Sequence, residues 1–391
     1  MNHLEKKTAR RYDTPGRCRA FTDTVYKSDN AVYAQLTEIE MSYAPETPCF
    51  KAYIGDMHGH TELSDGCGDI DSYFTNLRKR GLDFAAISDH DHGGVGQPAL
   101  WEGSPSKWDL IQQKVNEYDE PHKFTTILAY ERDSYPFYNN LIVYYGSKNG
   151  QMIRGAHDGE FTAAELLAAL KRDDVLLVPH DTYYFSAGAD LAHIPKELFT
   201  PLIEVYSCGD AAEYMYHPAF AEDSACDGGF WQDALRRGAK MGCIAGSDNH
   251  NGTGACILDR PYPFKYQGLT GIWAEENTLD SLFSALKARR CYAFMGGHMV
   301  LDFRINGHYM GEEITAGEND TLTVWFSVQA DAPVKQVTLV KNQRDYIFFR
   351  HTEKQVIFDY NRETPCDCYY LRAELDDGRF GWTSPIWVSI S

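Results

Sequence analysis

Between residues 50 and 290, short apolar runs alternate with segments whose apolar residues recur at helical spacing. The runs at 52–57, 84–88, 124–130, 141–145, 175–179, 202–206 and 243–246 predict buried strands. Ile70, Tyr73, Phe74 and Leu77 fall at i, i+3, i+4 and i+7 and predict a helix. Asp69 and Asp71 stand at its start and Arg78, Lys79 and Arg80 at its end, the placement the helix dipole favours. Leu279, Leu282, Phe283 and Leu286 repeat the spacing ahead of Arg289 and Arg290. Strand–helix alternation of this kind predicts an α/β fold, either a parallel barrel or a layered sheet.

Near residue 298 the texture changes. Apolar runs at 301–305, 322–328, 337–340, 346–349, 356–358, 368–375 and 385–389 follow one another with little helical periodicity, separated by Gly and Asp. That pattern predicts a small antiparallel β-sandwich. The chain therefore divides into an arm at 1–45, an α/β unit at 46–297 and a β-sandwich at 298–391.

Length agrees with this division, since 391 residues exceed one ordinary domain. Lys and Arg number 37 against 56 Asp and Glu, a formal charge of −19. Such a balance disfavours nucleic acid and anionic membrane, which both need positive charge to displace counterions. The first residues lack the apolar core of a signal peptide, and no apolar run reaches the ~18 residues of a membrane span. Ten scattered cysteines without zinc-ribbon spacing favour a reducing, cytoplasmic setting. The expected partner is a small-molecule substrate, and the composition allows a homo-oligomer.

The candidate chemistry lies at the ends of the predicted strands. His58 and His60 are two apart after the first run, so both imidazoles can face one cation, and Asp65 follows in a Ser-Asp-Gly turn. His90 ends the second run, Glu131 the third and His180 a later one, while Asp248 and His250 repeat the i, i+2 spacing. Mixed imidazole and carboxylate ligands suit Zn²⁺, Mn²⁺ or Fe²⁺ better than Ca²⁺ or Mg²⁺. Any one such histidine is more often structural, but eight residues recurring at five strand ends are hard to reconcile with that reading. Asp56, Asp89 and Asp181 flank ligands, where they fit either the orienting of imidazoles or an ordinary turn or cap. Glu204, inside Leu-Ile-Glu-Val-Tyr, fits either the site or a buried structural carboxylate. Arg132, beside Glu131, is a candidate for gripping an anionic substrate, with a salt-bridged arginine as the plainer alternative.

As an ordered set, these motifs resemble the PHP superfamily, named for polymerase and histidinol phosphatase. The resemblance rests on His58-x-His60 with its Ser-Asp65-Gly, Ser-Asp-His90, Glu131, Pro-His180 and Ser-Asp248-x-His250. It implies a distorted (βα)7 barrel of the PHP type over the α/β unit. Stretches at 202–207, 233–238, 268–274, 285–292 and 382–387 are similar to a bacterial PHP-like family of unknown function that carries a C-terminal β-sandwich. By resemblance, a first ion takes His58, His60, Glu131 and Asp248, and a second takes Asp65, His90 and His250. Glu131 would bridge to a third ion held partly by His180. For that ion's remaining histidine the chain offers Asn139 and Asn140 after Glu131, and His157 as a candidate by chain position.

The ligand set implies a hydrolase using two or three divalent ions, and the resemblance adds a preference for small phosphoesters attacked by a metal-bridging hydroxide. Asp248 or His180 is the expected proton carrier to the leaving group. Two rivals stand beside this reading. One is a hydrolase of carboxylic esters, amides or carbamates using the same site, and the other is a binding protein stabilised by structural metal.

Overall fold

The structure is a computed structural model that describes residues 50–391, apart from 93–97, 134–139, 153–172, 184–190, 192–195, 197–198, 209, 221–226, 253, 255–264 and 318–319. The arm expected at 1–45 and His157 lie outside the described residues.

The first part of the chain runs β1 (Lys51–Asp56), α1 (Ile70–Lys79), β2 (Phe84–Ile87), α2 (Lys107–Tyr118), β3 (Thr125–Asp133), β4 (Asn140–Tyr145) and β5 (Val175–His180). It continues with β6 (Leu202–Tyr206), α3 (Trp231–Arg236), β7 (Gly242–Ala245), β8 (Gly268–Ala274), α4 (Leu279–Lys287) and β9 (Cys291–Met295). Asp69 caps α1 by accepting from Ser72 N at 2.6 Å, and Ser106 forms a reciprocal capping box with Asp109 at the start of α2. Each such cap stabilises its helix by about 1 kcal/mol.

One sheet runs in the order β5-β4-β3-β2-β1-β8-β9, and β6 and β7 form a separate parallel pair. Within that run only β1–β2 and β2–β3 are parallel; β3–β4, β4–β5, β1–β8 and β8–β9 are antiparallel. The described residues are thus richer in β-structure than a sevenfold strand–helix repeat, and they do not show the expected (βα)7 barrel. The reason is local. Only residues 134–139 separate β3 from β4, whereas a parallel neighbour needs a crossover of a dozen residues or so.

Strand alternation gives this sheet two apolar faces. Ala85, Ile87, Leu128, Tyr130, Val143 and Leu177 join one core with α1 and α2. Phe84, Ala86, Ile127, Ala129, Ile142, Tyr144 and Val178 join Leu202, Ile244 and the α4 residues Leu282, Phe283 and Leu286 in a second core. Glu131 and His180 continue the second set by the period of two, which places them directly beyond its apolar plug.

The remainder consists of β10 (Met299–Ile305), β11 (His308–Tyr309), β12 (Glu313–Ala316), β13 (Thr321–Ala330), β14 (Val334–Lys341), β15 (Arg344–Phe349), β16 (Glu353–Asp359), β17 (Cys366–Leu375), β18 (Phe380–Thr383) and β19 (Ile386–Ile390). One layer is β11-β10-β13-β16; the other holds β12, β19, β17, β14 and β15. Phe303, Phe326, Leu339 and Leu371 belong to the core that these layers share. The second layer is continuous with the first part of the chain, because β18 pairs with both β17 and β9. A buried carboxylate fastens the junction. Glu213 accepts from Tyr370 Oη at 2.6 Å, Arg372 Nη1 at 2.9 Å and Trp382 Nε1 at 2.6 Å. Among the described residues no helix is long and apolar enough to cross a membrane.

Candidate metal centre

Two short chain segments beyond β1 and β7 build the middle of the site. Asp248 N donates to His58 O at 2.9 Å and His60 N to Asn249 O at 3.0 Å, so the two segments run side by side. Ser247 Oγ donates to His58 O at 2.8 Å, and Ser247 N to Asp56 Oδ1 at 2.9 Å. Gly246 permits this approach, since a Cβ there would sit 2.2 Å from the Cβ of His58. Asp248 takes a left-handed φ of +47°, a conformation that Asp tolerates better than most residues.

Asp56 and Asp89 hold these segments rather than facing the centre. Asp89 accepts from Thr61 N at 2.8 Å, Thr61 Oγ1 at 2.8 Å and Ser64 Oγ at 2.7 Å, which ties the chain after His60 to the end of β2. Burial pushes the Asp56 carboxyl up to about 6, against hydrogen bonds from Ser247 and His58 that pull it down.

At the centre, His58 Nε2 and His60 Nε2 are 3.0 Å apart, and each lies 3.1 Å from Glu131 Oε2. Asp248 Oδ1 is 3.1 Å from His60 Nε2 and 3.5 Å from His58 Nε2. To one side, His250 Nε2 is 3.3 Å from Asp65 Oδ1 and His90 Nε2 is 3.7 Å from Asp65 Oδ2. His90 Nδ1 reaches back to Glu131 Oε2 at 3.6 Å. To the other side stands His180, whose Nε2 faces Asp248 Oδ2 at 3.7 Å.

Glu204 fixes which nitrogens look inward. Its carboxylate lies 3.1 Å from His58 Nδ1 and 3.1 Å from His180 Nδ1. A carboxylate accepts from N–H, so in the tautomer that keeps hydrogen on both Nδ1 atoms, towards Glu204, both Nε2 lone pairs point to the centre. Asn140, at the start of β4, donates Nδ2 to Glu131 Oε1 at 2.6 Å.

Burial would lower the pKa of His58 and His180, but the carboxylates around them raise both well above the ordinary imidazole value. Burial would likewise raise Glu131, Glu204 and Asp248, and the facing histidines lower all three. Asp65 is lowered too, its burial outweighed by His250, His90 and His60. The cluster thus holds its carboxylates ionised by calling positive charge into the middle, whether protons or a cation.

Among the described residues, three groups bring ligand atoms within 4.8 Å of one another: His60, Asp65, His90 and His250; His58, His60 and Asp248; and His58, Glu131 and His180. The eight candidate ligands named from sequence thus come together, with His60 and His58 each shared between groups. Arg132 is buried, and the strand's alternation turns it to the face opposite Glu131, among Leu128 and Tyr130. Two residues of the site lacked a decisive sequence signal. Glu204 had one only in being a carboxylate inside an apolar strand. Asn140 was singled out only by the resemblance, as a residue standing where a histidine ligand was looked for, and not as a partner of Glu131.

A family model described as "Protein of unknown function (DUF3604)" matches residues 257–324. An uncharacterized protein of Chlamydia pneumoniae is 26% identical over 362 residues, covering 86% of this chain and 57% of its own length. An uncharacterized protein of Chlamydia muridarum is 22% identical over 376 residues, with the same coverage of 86% and 57%. The chain therefore spans little more than half the length of the curated relatives it matches. Among solved structures, a two-domain protein of Bacteroides vulgatus, described as containing a predicted PHP-like metal-dependent phosphoesterase, aligns with 90% of this chain and 98% of its own. The identity there is 13% and the TM-score 0.42. These are likenesses, and none assigns an activity.

Proposed function

We propose that this chain is a hydrolase dependent on divalent metal ions and acting on a small phosphoester. One observation carries the reading. His58 Nε2, His60 Nε2, Glu131 Oε2 and Asp248 Oδ1 converge at 3.0–3.5 Å, and an unprotonated set of this kind contains acceptors only. Such a set suits a cation, and its mixture of imidazole and carboxylate suits Zn²⁺, Mn²⁺ or Fe²⁺. Divalent ions there supply Lewis-acid activation of an ester and of the water that cleaves it.

The chain's own residues prepare and open the site. Glu204 orients two imidazoles, and Asn140 holds one oxygen of Glu131. The apolar plug of Ile127, Ala129 and Val178 closes the inner side. The side chains of Asp65 and His250 remain 41% and 38% exposed, so that flank is open to a substrate. A purely structural metal site encloses its ligands, and this openness favours an enzyme over the binding-protein reading. The phosphoester preference rests on the resemblance of the ordered motifs to the PHP superfamily.

The test is turnover by Mn²⁺- or Zn²⁺-loaded protein on a matched panel of phosphomonoesters, phosphodiesters and carboxylic esters. Release from phosphoesters that stops on chelation is the expected result. Cleavage of carboxylic esters alone would transfer the site to the rival chemistry, and loaded protein inert towards every ester would contradict the hydrolase reading.

A further inference from the structure

Asn249 stands between the candidate ligands Asp248 and His250 and is fully buried. Its carbonyl accepts from His60 N at 3.0 Å, and its N–H donates to Ser247 Oγ at 3.2 Å. Its side-chain Oδ1 accepts from Asn251 N at 2.8 Å, and its Nδ2 donates to Gln267 Oε1 at 2.9 Å. Gln267 Nε2 then faces a carbonyl, that of Ser247, at 3.4 Å. A donor meets an acceptor at every step, so the backbone N–H of Asn251 sets the orientation of both amides. The turn at 247–251 is therefore held twice, by the backbone of the His58–His60 segment and by the Gln267 amide.

Gln267 is itself pinned. It is buried and directly precedes β8, where Gly268 brings the backbone so close that a Cβ would lie 2.3 Å from Gly246 O. The Gln267 carbonyl accepts from Gly296 N at 2.8 Å. Gly296 O in turn accepts from Arg379 Nη1 at 2.9 Å, and a Cβ on Gly297 would lie 2.0 Å from that same nitrogen. Arg379 is buried and paired with Asp331 at 2.7 Å and Asp377 at 2.9 Å, in the turns between β13 and β14 and between β17 and β18. Its guanidinium also stands 5.3 Å from the ring centroid of Tyr266, the neighbour of Gln267. The β-sandwich layers thus hold the Gly296–Gly297 turn, and that turn holds Gln267 against the segment that carries two candidate ligands.

We infer that Gln267 is a positioning residue for Asp248 and His250, and that Arg379 acts on the metal centre through it. The inference rests on the metal-dependent reading above and deepens it, because it gives the β-sandwich layers a bearing on ion affinity. Neither Gln267 nor Arg379 belongs to the candidate ligand groups. Their effect is geometric. Asp248 has a left-handed φ of +47°, which the surrounding contacts have to maintain. A ligand set holds its ion well only when its members keep their places to within about 0.5 Å.

The experiment is calorimetric titration with Mn²⁺, together with the absorption spectrum of Co²⁺-loaded protein. It compares the full chain with Gln267→Met, Arg379→Met and the two combined. Met is unbranched and apolar, so it fills much of the space of either side chain and removes its hydrogen bonds. Leu339→Ala, in the sandwich core, is a control of lowered stability that touches neither contact. All are measured well below their unfolding temperatures. Gln267→Met should weaken the ions that use Asp248 and His250 about 10–100-fold, as loss of an orienting partner does, and should alter the Co²⁺ spectrum. Arg379→Met should weaken them about 2–30-fold, the range for residues that touch no ligand, and the double variant should bind like Gln267→Met alone. Leu339→Ala should bind like the parent. Parental affinity and spectrum in Gln267→Met, or parental affinity in Arg379→Met, would overturn the inference. So would losses that add in full in the double variant, or an equal loss in Leu339→Ala. A parent chain that takes up neither Mn²⁺ nor Co²⁺ would overturn the metal-dependent reading as well, whereas the other failures leave that reading intact.

Discussion

The carboxylate of Glu204 lies 3.1 Å from His58 Nδ1 and reaches His180 Nδ1 at the same distance, so one buried side chain sets the orientation of both rings. Glu204→Gln should keep the fold, because the amide has the same shape. An amide can offer N–H where the imidazoles require an acceptor, and the rings then lose their fixed hydrogen-bonding pattern. Divalent-ion affinity should fall about 10–100-fold, read by calorimetric titration. Unchanged affinity would make Glu204 a bystander.

Asp65 serves the open flank with His90 and His250. Asp65→Asn should weaken the ion at that flank and spare the one between His58 and His60. Sequential Mn²⁺ titration checks this, with one binding step shifted and the others in place. A uniform shift of every step would show that the positions are not separable.

Gly246 is set by sterics. Gly246→Ala places a methyl group 2.2 Å from the Cβ of His58, and the strand or the ring has to move. We expect a loss of about 1–3 kcal/mol in denaturant unfolding, together with weaker metal binding. A variant as stable and as metal-avid as the parent would mean that the two segments are not packed this closely.

Glu213 acts at the junction with β17 and β18, and it belongs to none of the candidate ligand groups. Glu213→Ala leaves Arg372, Tyr370 and Trp382 without their shared acceptor, and removal of one partner from a buried charged network costs about 3–5 kcal/mol. Unfolding should shift accordingly while ion stoichiometry at folded temperatures stays the same. Loss of ions without loss of stability would tie Glu213 to the site instead.

Much of the site was legible in the sequence because its signals are local. His58 with His60, and Asp248 with His250, are two apart, and that spacing already implies a common side. Helix α1 declared itself through Ile70, Tyr73, Phe74 and Leu77, all of which are buried. What stayed hidden depends on neighbours distant in the chain. Run length says nothing of strand direction, so the antiparallel entries of β4, β8 and β9 were invisible and a parallel barrel was expected instead. Glu204 meets His58 across 146 positions, and no window of sequence reveals that Leu202 and Glu204 share a face with Ile244 and the candidate ligands. Helix α2 carried a readable signal in Trp108, Ile111 and Val115 after Ser106, yet the strand–helix reading did not need it.

The central claim is that His58 and His60 hold a divalent ion between Glu131 and Asp248. The most direct measurement is the metal content of purified, metal-loaded protein beside that of the His58→Ala, His60→Ala double variant, both checked for folding by circular dichroism. The account predicts a folded variant that has lost its tightly bound metal. A folded double variant that retains the full metal content of the parent would contradict it.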